Sequence, residues 1–119
     1  MPTFEAGDVV RVPFPYTDRA TLQRRPALVI SRQRLGETVP LFWAMMITSA
    51  DNRGWPEDIR IGEPFDVTGL PIPSIIRVAK ISTIESAMAE KVGRLLPDTF
   101  AEVGEALRRI TTQARNQSC

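Results

Sequence analysis

The sequence predicts an α+β fold that is mainly β. It reads as a small, curled, mostly antiparallel sheet of about five to seven strands with one C-terminal amphipathic helix. Three observations predict it. β-branched and aromatic residues gather in short runs up to Leu95. Prolines and glycines punctuate the gaps between those runs. A spacing of threes and fours between apolar residues sets in only after Pro97.

Val9, Val10, Val12 and Phe14 make residues 8–14 the first strand, and Pro13 and Pro15 place it at an edge or bend it out of the sheet. Residues 15–24 read as a polar loop. Pro26 to Ser31 is the second strand, apolar enough to be buried on both faces. Gly36 and Pro40 bracket a connection, and Leu41 to Thr48 is the third strand. Ser49-Ala50-Asp51-Asn52-Arg53-Gly54 is rich in turn formers. Asp58 to Ile61 alternates like a half-exposed strand, and residues 62–73, with two glycines and three prolines, read as irregular. Ser74 to Val78 and Lys80 to Ile84 form one strand or two, with a break at Ala79-Lys80. Lys91 to Leu95 is a last short strand or bridge. Pro97 suits the first turn of a helix, Asp98 and Glu102 favour its N-terminal end, and Arg108 and Arg109 favour the other. Phe100, Val103, Leu107 and Ile110 share one face of it, and residues 111–119 read as a frayed polar tail. Short strands with proline-rich connections fit a small SH3-like barrel.

At 119 residues, a single domain over 1–119 is expected. The apolar stretch Leu41 to Ile47 is too short to span a bilayer, and the N-terminal residues lack the pattern of an export signal, so a cytoplasmic protein without membrane contact is expected. The lone cysteine, Cys119, excludes an internal disulfide and a multi-cysteine metal site. A net charge of +1 argues against a protein that is basic all over. The distribution is less even. Of fifteen basic residues only Lys80 and Lys91 are lysine, and Arg11, Arg19, Arg24, Arg25, Arg32 and Arg34 crowd the first 34 positions. Arginine suits bidentate phosphate contacts, although codon bias would produce the same excess.

The sequence contains no histidine, which excludes a serine–histidine triad and histidine metal ligands. No glycine-rich phosphate loop is present either. Arginines, threonine and serine hydroxyls and scattered acids remain. That set suits attack of an RNA 2′-OH on the adjacent phosphate, because the substrate brings its own nucleophile and the protein has only to position it and stabilise charge. Phe14, Tyr16, Phe42, Trp43 and Trp55 are aromatic candidates for stacking unpaired bases. Each candidate has a plainer alternative. Arg25, held extended before Pro26, also fits a surface ion pair. Thr48 and Ser49 also fit turn hydrogen bonding, and so does Asp8 after Gly7. Trp55 also fits the rim of a core.

Gly7-Asp8-Val9-Val10 through Phe14, followed by the loop and Arg25-Pro26-Ala27-Leu28-Val29-Ile30-Ser31, resembles the PemK/Kid/MazF-like toxins. These are ribosome-independent endoribonucleases, or mRNA interferases, of type II toxin–antitoxin modules. The resemblance continues through Ile47-Thr48-Ser49, Trp55-Pro56, Ser74 to Val78, Lys80 to Ile84 and Val92-Gly93-Arg94-Leu95. It implies a CcdB/PemK-type barrel, a homodimer, and a cognate antitoxin whose disordered tail covers an RNA groove and with which the toxin binds DNA. It implies sequence-specific, metal- and cofactor-independent cleavage of single-stranded RNA, leaving a 2′,3′-cyclic phosphate and a 5′-OH. Residue by residue, it makes Arg25, Thr48 and Arg77 catalytic. Two family features are absent. Ala79 stands where the Kid branch has an aspartate, and Asp18 or Arg19 lies nearest the place of its loop histidine. Asp18 is therefore the candidate general base, and Tyr16, Arg19, Arg24, Ser49 and Trp55 are the candidate RNA-binding residues. Two alternatives remain: a CcdB-like poison that binds gyrase through its terminal helix without catalysis, and a degenerate member that binds RNA or antitoxin without turnover.

Overall fold

Runs of valine, isoleucine and aromatic residues pair into one sheet in the computed structural model, which describes residues 4–15, 22–31, 40–61 and 65–111. The strands are β1 (Asp8–Pro15), β2 (Leu22–Val29), β3 (Leu41–Ser49), β4 (Ile59–Ile61), β5 (Ser74–Glu85) and β6 (Glu90–Arg94). A one-turn helix α1 (Phe65–Thr68) precedes β5, and helix α2 (Pro97–Thr111) ends the described chain. Among the described residues the sheet has six strands in the order β4-β5-β3-β2-β1-β6, and every pairing is antiparallel. The curled sheet and its single terminal helix are the predicted mainly-β barrel architecture.

Alternation along the strands sends side chains to two cores, because successive strand residues point to opposite faces. Val9, Leu28, Met45, Ile47, Ile76 and Val78 form one core with Val103 and Ala106 of α2. Val10, Val12, Ala27, Val29, Phe42 and Ala44 form the other with Phe4, whose ring meets Phe42 edge-on at 5.5 Å between centroids. From Ala27 to Val29, β2 is thus buried on both faces, as its apolar run predicts. In α2, Val103 is buried and Phe100 and Leu107 pack on the first core, whereas Ile110 is exposed. Ile110 therefore corrects the predicted stripe: the helix outlasts the sheet beneath it.

Further expectations are corrected or settled. β2 begins at Leu22, not Pro26, because Leu22 to Arg25 pair with Pro15 to Val12; polar residues are carried into the strand by the hairpin ladder. β5 is one strand, yet Met45 and Met46 pair with Ile81 and Arg77, so Val78, Ala79 and Lys80 fall between successive rungs. The segment read as irregular contains α1. β1 is interior where β6 covers Asp8 to Arg11, and beyond Arg11, among the described residues, only β2 pairs with it. Pro13 and Pro15 stand in that uncovered part. Pro26 likewise precedes Ala27, where pairing with β3 begins.

α1 and β6 meet through two glycines. A Cβ on Gly93 would overlap the Thr68 carbonyl, and one on Gly69, at φ +76°, would overlap the Val92 carbonyl. These neighbours are backbone and have no rotamer to change. Gly93→Ala is therefore expected to destabilise the fold by about 2 kcal/mol or more. A urea transition with an unchanged midpoint would refute this close approach.

Candidate active site

Arg24 and Arg25 stand in the β1–β2 ladder beside the end of β3, where a cleft of about 250 Å³ opens. Arg11 of β1, Arg24, Arg25 and Pro26 of β2, and Ile47, Thr48 and Ser49 of β3 line one side. Leu70, Pro71, Ile72 and Ser74, with Val92 of β6, complete it. The lining mixes arginine with apolar residues; alternation puts the Arg25 and Thr48 side chains on the face of Val12, Ala27 and Met46, and Ile47 and Leu70 on the other. The volume lies below the roughly 300–1,000 Å³ of typical small-molecule pockets. It suits one unit of a longer chain better than a whole free ligand.

Arg25 pairs with Val12 across the hairpin and is half-buried. It stands inside a strand, not at a loop junction, so its backbone is fixed by the ladder. Arg24 is exposed; it donates to the Arg11 carbonyl at 3.2 Å and lies 3.8 Å from Glu90. An exposed pair of this kind is weak and yields readily to an arriving anion. Thr48 is 7 % exposed, and its Oγ1 accepts a hydrogen bond from Asn52 Nδ2 at 2.6 Å. Ser49 ends the strand with a turn: its Oγ accepts from the Asp51 amide at 3.2 Å and its carbonyl from the Asn52 amide at 3.1 Å.

Arg77 and Trp55 occupy a neighbouring cluster and do not line the cleft. The Arg77 guanidinium is buried; it pairs with Asp58 at 3.3 Å, donates to the Arg53 carbonyl and lies 4.5 Å from the centroid of the Trp55 ring. Asp58 Oδ2 also accepts from the Trp55 amide at 2.8 Å, while its Oδ1 is buried with no partner. Beyond it, Glu57, at φ +67°, receives a bidentate contact from Arg109 of α2, and these hydrogen bonds hold its carboxyl below the usual range. The segment 50–58 is thus fastened from beneath by β5 and from the side by α2.

Of the residues singled out by sequence, the cleft brings together Arg24, Arg25, Thr48 and Ser49. Tyr16, Asp18 and Arg19 lie outside the described residues. Asp8 has the turn role that its position suggests: its buried carboxylate accepts from the Glu5 amide at 2.9 Å and pairs with Arg94 and Lys91. Phe42 is core and Trp43 is exposed, as alternation requires. Sequence reasoning missed Asn52, Asp58 and the apolar wall Leu70-Pro71-Ile72. Only Asn52 left a local sign, four residues after Thr48 in a turn-forming run. Among the described residues no three carboxylate or cysteine side chains converge to hold a metal ion, and no helix is long and apolar enough to cross a membrane.

Comparison with known proteins places this arrangement. The crystal structure of a Deinococcus radiodurans MazE–MazF complex (Form II) superposes with a TM-score of 0.72 at 22 % identity, covering 96 % of this chain and 100 % of that one. An endoribonuclease in complex with its cognate antitoxin from a mycobacterial species gives 0.67 at 22 % identity, covering 92 % and 93 %. The Mycobacterium tuberculosis toxin MazF-mt6 gives 0.62 at 22 % identity, covering 84 % and 92 %. At these identities the likeness carries the fold. No curated protein matches the chain. The profile of the PemK-like, MazF-like toxins of type II toxin–antitoxin systems matches residues 5–111, nearly all of the sequence. The chain belongs to that toxin family, whose members are known as endoribonucleases.

Proposed function

We propose that this protein is a cytoplasmic toxin that cleaves single-stranded RNA, chiefly mRNA, by sequence-specific transesterification without a metal ion or cofactor. The observation that carries the reading is that Arg25 and Thr48 lie on neighbouring strands with their side chains on one face of the sheet, beside a cleft that Arg11, Arg24, Ser49 and the apolar Leu70, Pro71 and Ile72 also line. In the reaction the substrate 2′-oxygen forms a bond to phosphorus, the P–O5′ bond breaks, and its electron pair goes to the 5′-oxygen. The 2′-OH loses its proton to a base, for which Asp18 is the candidate, and water protonates the departing 5′-oxygen. Arg25 neutralises the charge that gathers on the phosphoryl oxygens, and the Thr48 hydroxyl adds a hydrogen bond. Arg77, committed to Asp58 and Trp55, is assigned to holding the 50–58 segment instead of to proton transfer.

Tyr16, Arg19, Ser49 and Trp55 are assigned to the RNA strand on either side of the cleft. A homodimer, a cognate antitoxin that covers the cleft, and joint DNA binding with that antitoxin complete the proposal. The antitoxin is supported by the two complexes described above.

Incubation of the purified protein with mixed-sequence RNA in EDTA, followed by end-group analysis, tests the reading. Fragments ending in a cyclic phosphate are the expected product. Intact RNA across varied sequences, with folded protein free of antitoxin, would overturn it. RNA retention without product would then identify a non-catalytic binder.

A further inference from the structure

Alternation puts the Thr48 side chain on the same face of the sheet as Arg25, and what its hydroxyl can do there depends on Asn52. The Asn52 Nδ2 group has hydrogens to give and no lone pair to offer, so at 2.6 Å the threonine oxygen is the acceptor. The hydroxyl's own proton is left over. Among the described residues the Thr48 hydroxyl donates to nothing. Thr48 is buried as a residue, its hydroxyl oxygen is already engaged, and its proton remains available to a ligand on the face it shares with Arg25.

The turn fixes this polarity. The Asn52 amide donates to the Ser49 carbonyl at 3.1 Å, the Asp51 amide donates to Ser49 Oγ, and the Ala50 amide donates to the Pro73 carbonyl at 3.0 Å. Asn52 is thereby folded back over the end of β3, with its side chain above Thr48. The Arg53 carbonyl, one residue on, is held by Arg77.

We infer that Asn52 is a positioning residue that fixes the Thr48 hydroxyl as a hydrogen-bond donor to a phosphoryl oxygen of RNA. The inference rests on the ribonuclease reading above and adds to it. A hydroxyl held this way gives a hydrogen bond to developing negative charge and does not take the 2′-OH proton. Thr48 and Arg25 then act together on the same phosphate, and the general base has to lie elsewhere.

The test uses the intact protein, an oligoribonucleotide containing its cleavage site, and the variants Asn52→Ala, Asn52→Asp and Thr48→Ala, singly and combined. Asn52→Ala frees the hydroxyl to rotate, and kcat is expected to fall about tenfold with KM within about twofold of the wild type. Asn52→Asp presents a carboxylate that can only accept, so it draws the hydroxyl proton away from the cleft, and a fall of about 100-fold is expected. In the Thr48→Ala background neither Asn52 substitution should change kcat further. An Asn52→Asp variant at least as active as Asn52→Ala, or equal losses with and without the Thr48 hydroxyl, would overturn the inference and leave Asn52 a merely structural turn residue. In the free protein the Asn52 side-chain amide resonances should shift in Thr48→Val. Unshifted resonances would refute the hydrogen bond whether or not RNA is cleaved, so failure here is distinct from failure of the ribonuclease reading.

Discussion

Replacing Arg25 with alanine is expected to lower RNA cleavage about 100- to 1,000-fold while the protein stays folded. Arg25 stands in the hairpin ladder opposite Val12, and its backbone bonds do not depend on the side chain. The side chain is half-buried beside Thr48, where a guanidinium is less screened than in open water. Removing it takes away the fixed charge facing the phosphate, and Arg11 and Arg24 approach from other rungs of the same hairpin. Arg25→Lys keeps the charge but loses the planar fork, so an intermediate rate is expected. The measurement is single-turnover cleavage of a defined oligoribonucleotide, with a thermal transition for each variant. Cleavage by Arg25→Ala at the wild-type rate would move the active site away from this cleft.

Asp58→Ala is expected to cost about 3–5 kcal/mol of stability. The Arg77 and Asp58 side chains are only 7 % and 10 % exposed. Removing the carboxylate leaves a guanidinium buried with a carbonyl and an indole ring but no counter-charge. The pair itself is a poor source of net stability, because both charges were desolvated to form it and one carboxylate oxygen still lacks a partner. Asp58→Leu combined with Arg77→Met should therefore recover much of the loss. Urea transitions of the single and double variants decide the matter. A single variant within about 1 kcal/mol of the wild type would show that water reaches the guanidinium.

The parts of the fold legible in the sequence are those whose signal is local. β1, β3 and α2 carry their own alternation or helical spacing, and each forms close to its expected bounds. The start of β2 does not, because Gln23, Arg24 and Arg25 join a strand only through their partners in β1. α1 is too short to show a period. The candidate site divides in the same way. Arg25 and Thr48 stand out by residue type and by the family resemblance, and the structure sets them on neighbouring strands. Asn52 is local to Thr48 and was readable in principle from the turn. The partnership of Arg77 with Asp58 spans 19 residues and depends on β4 lying beside β5, which no window along the chain reveals.

The three prolines of the first hairpin bear on open-ended stacking of strands at its edges. Pro13 and Pro15 lie along the part of β1 that β6 leaves uncovered, and Pro26 lies just ahead of the part of β2 that β3 covers. Such open edges are where foreign strands add and where chains polymerise. A proline offers no amide hydrogen, so a strand laid along either edge would find gaps in the row of donors, with charged Arg24 and Arg25 alongside. Edge-to-edge stacking is discouraged at the mouth of the cleft itself. The same gaps in the donor row make this edge a poor place for an extended ligand to add as an extra β-strand.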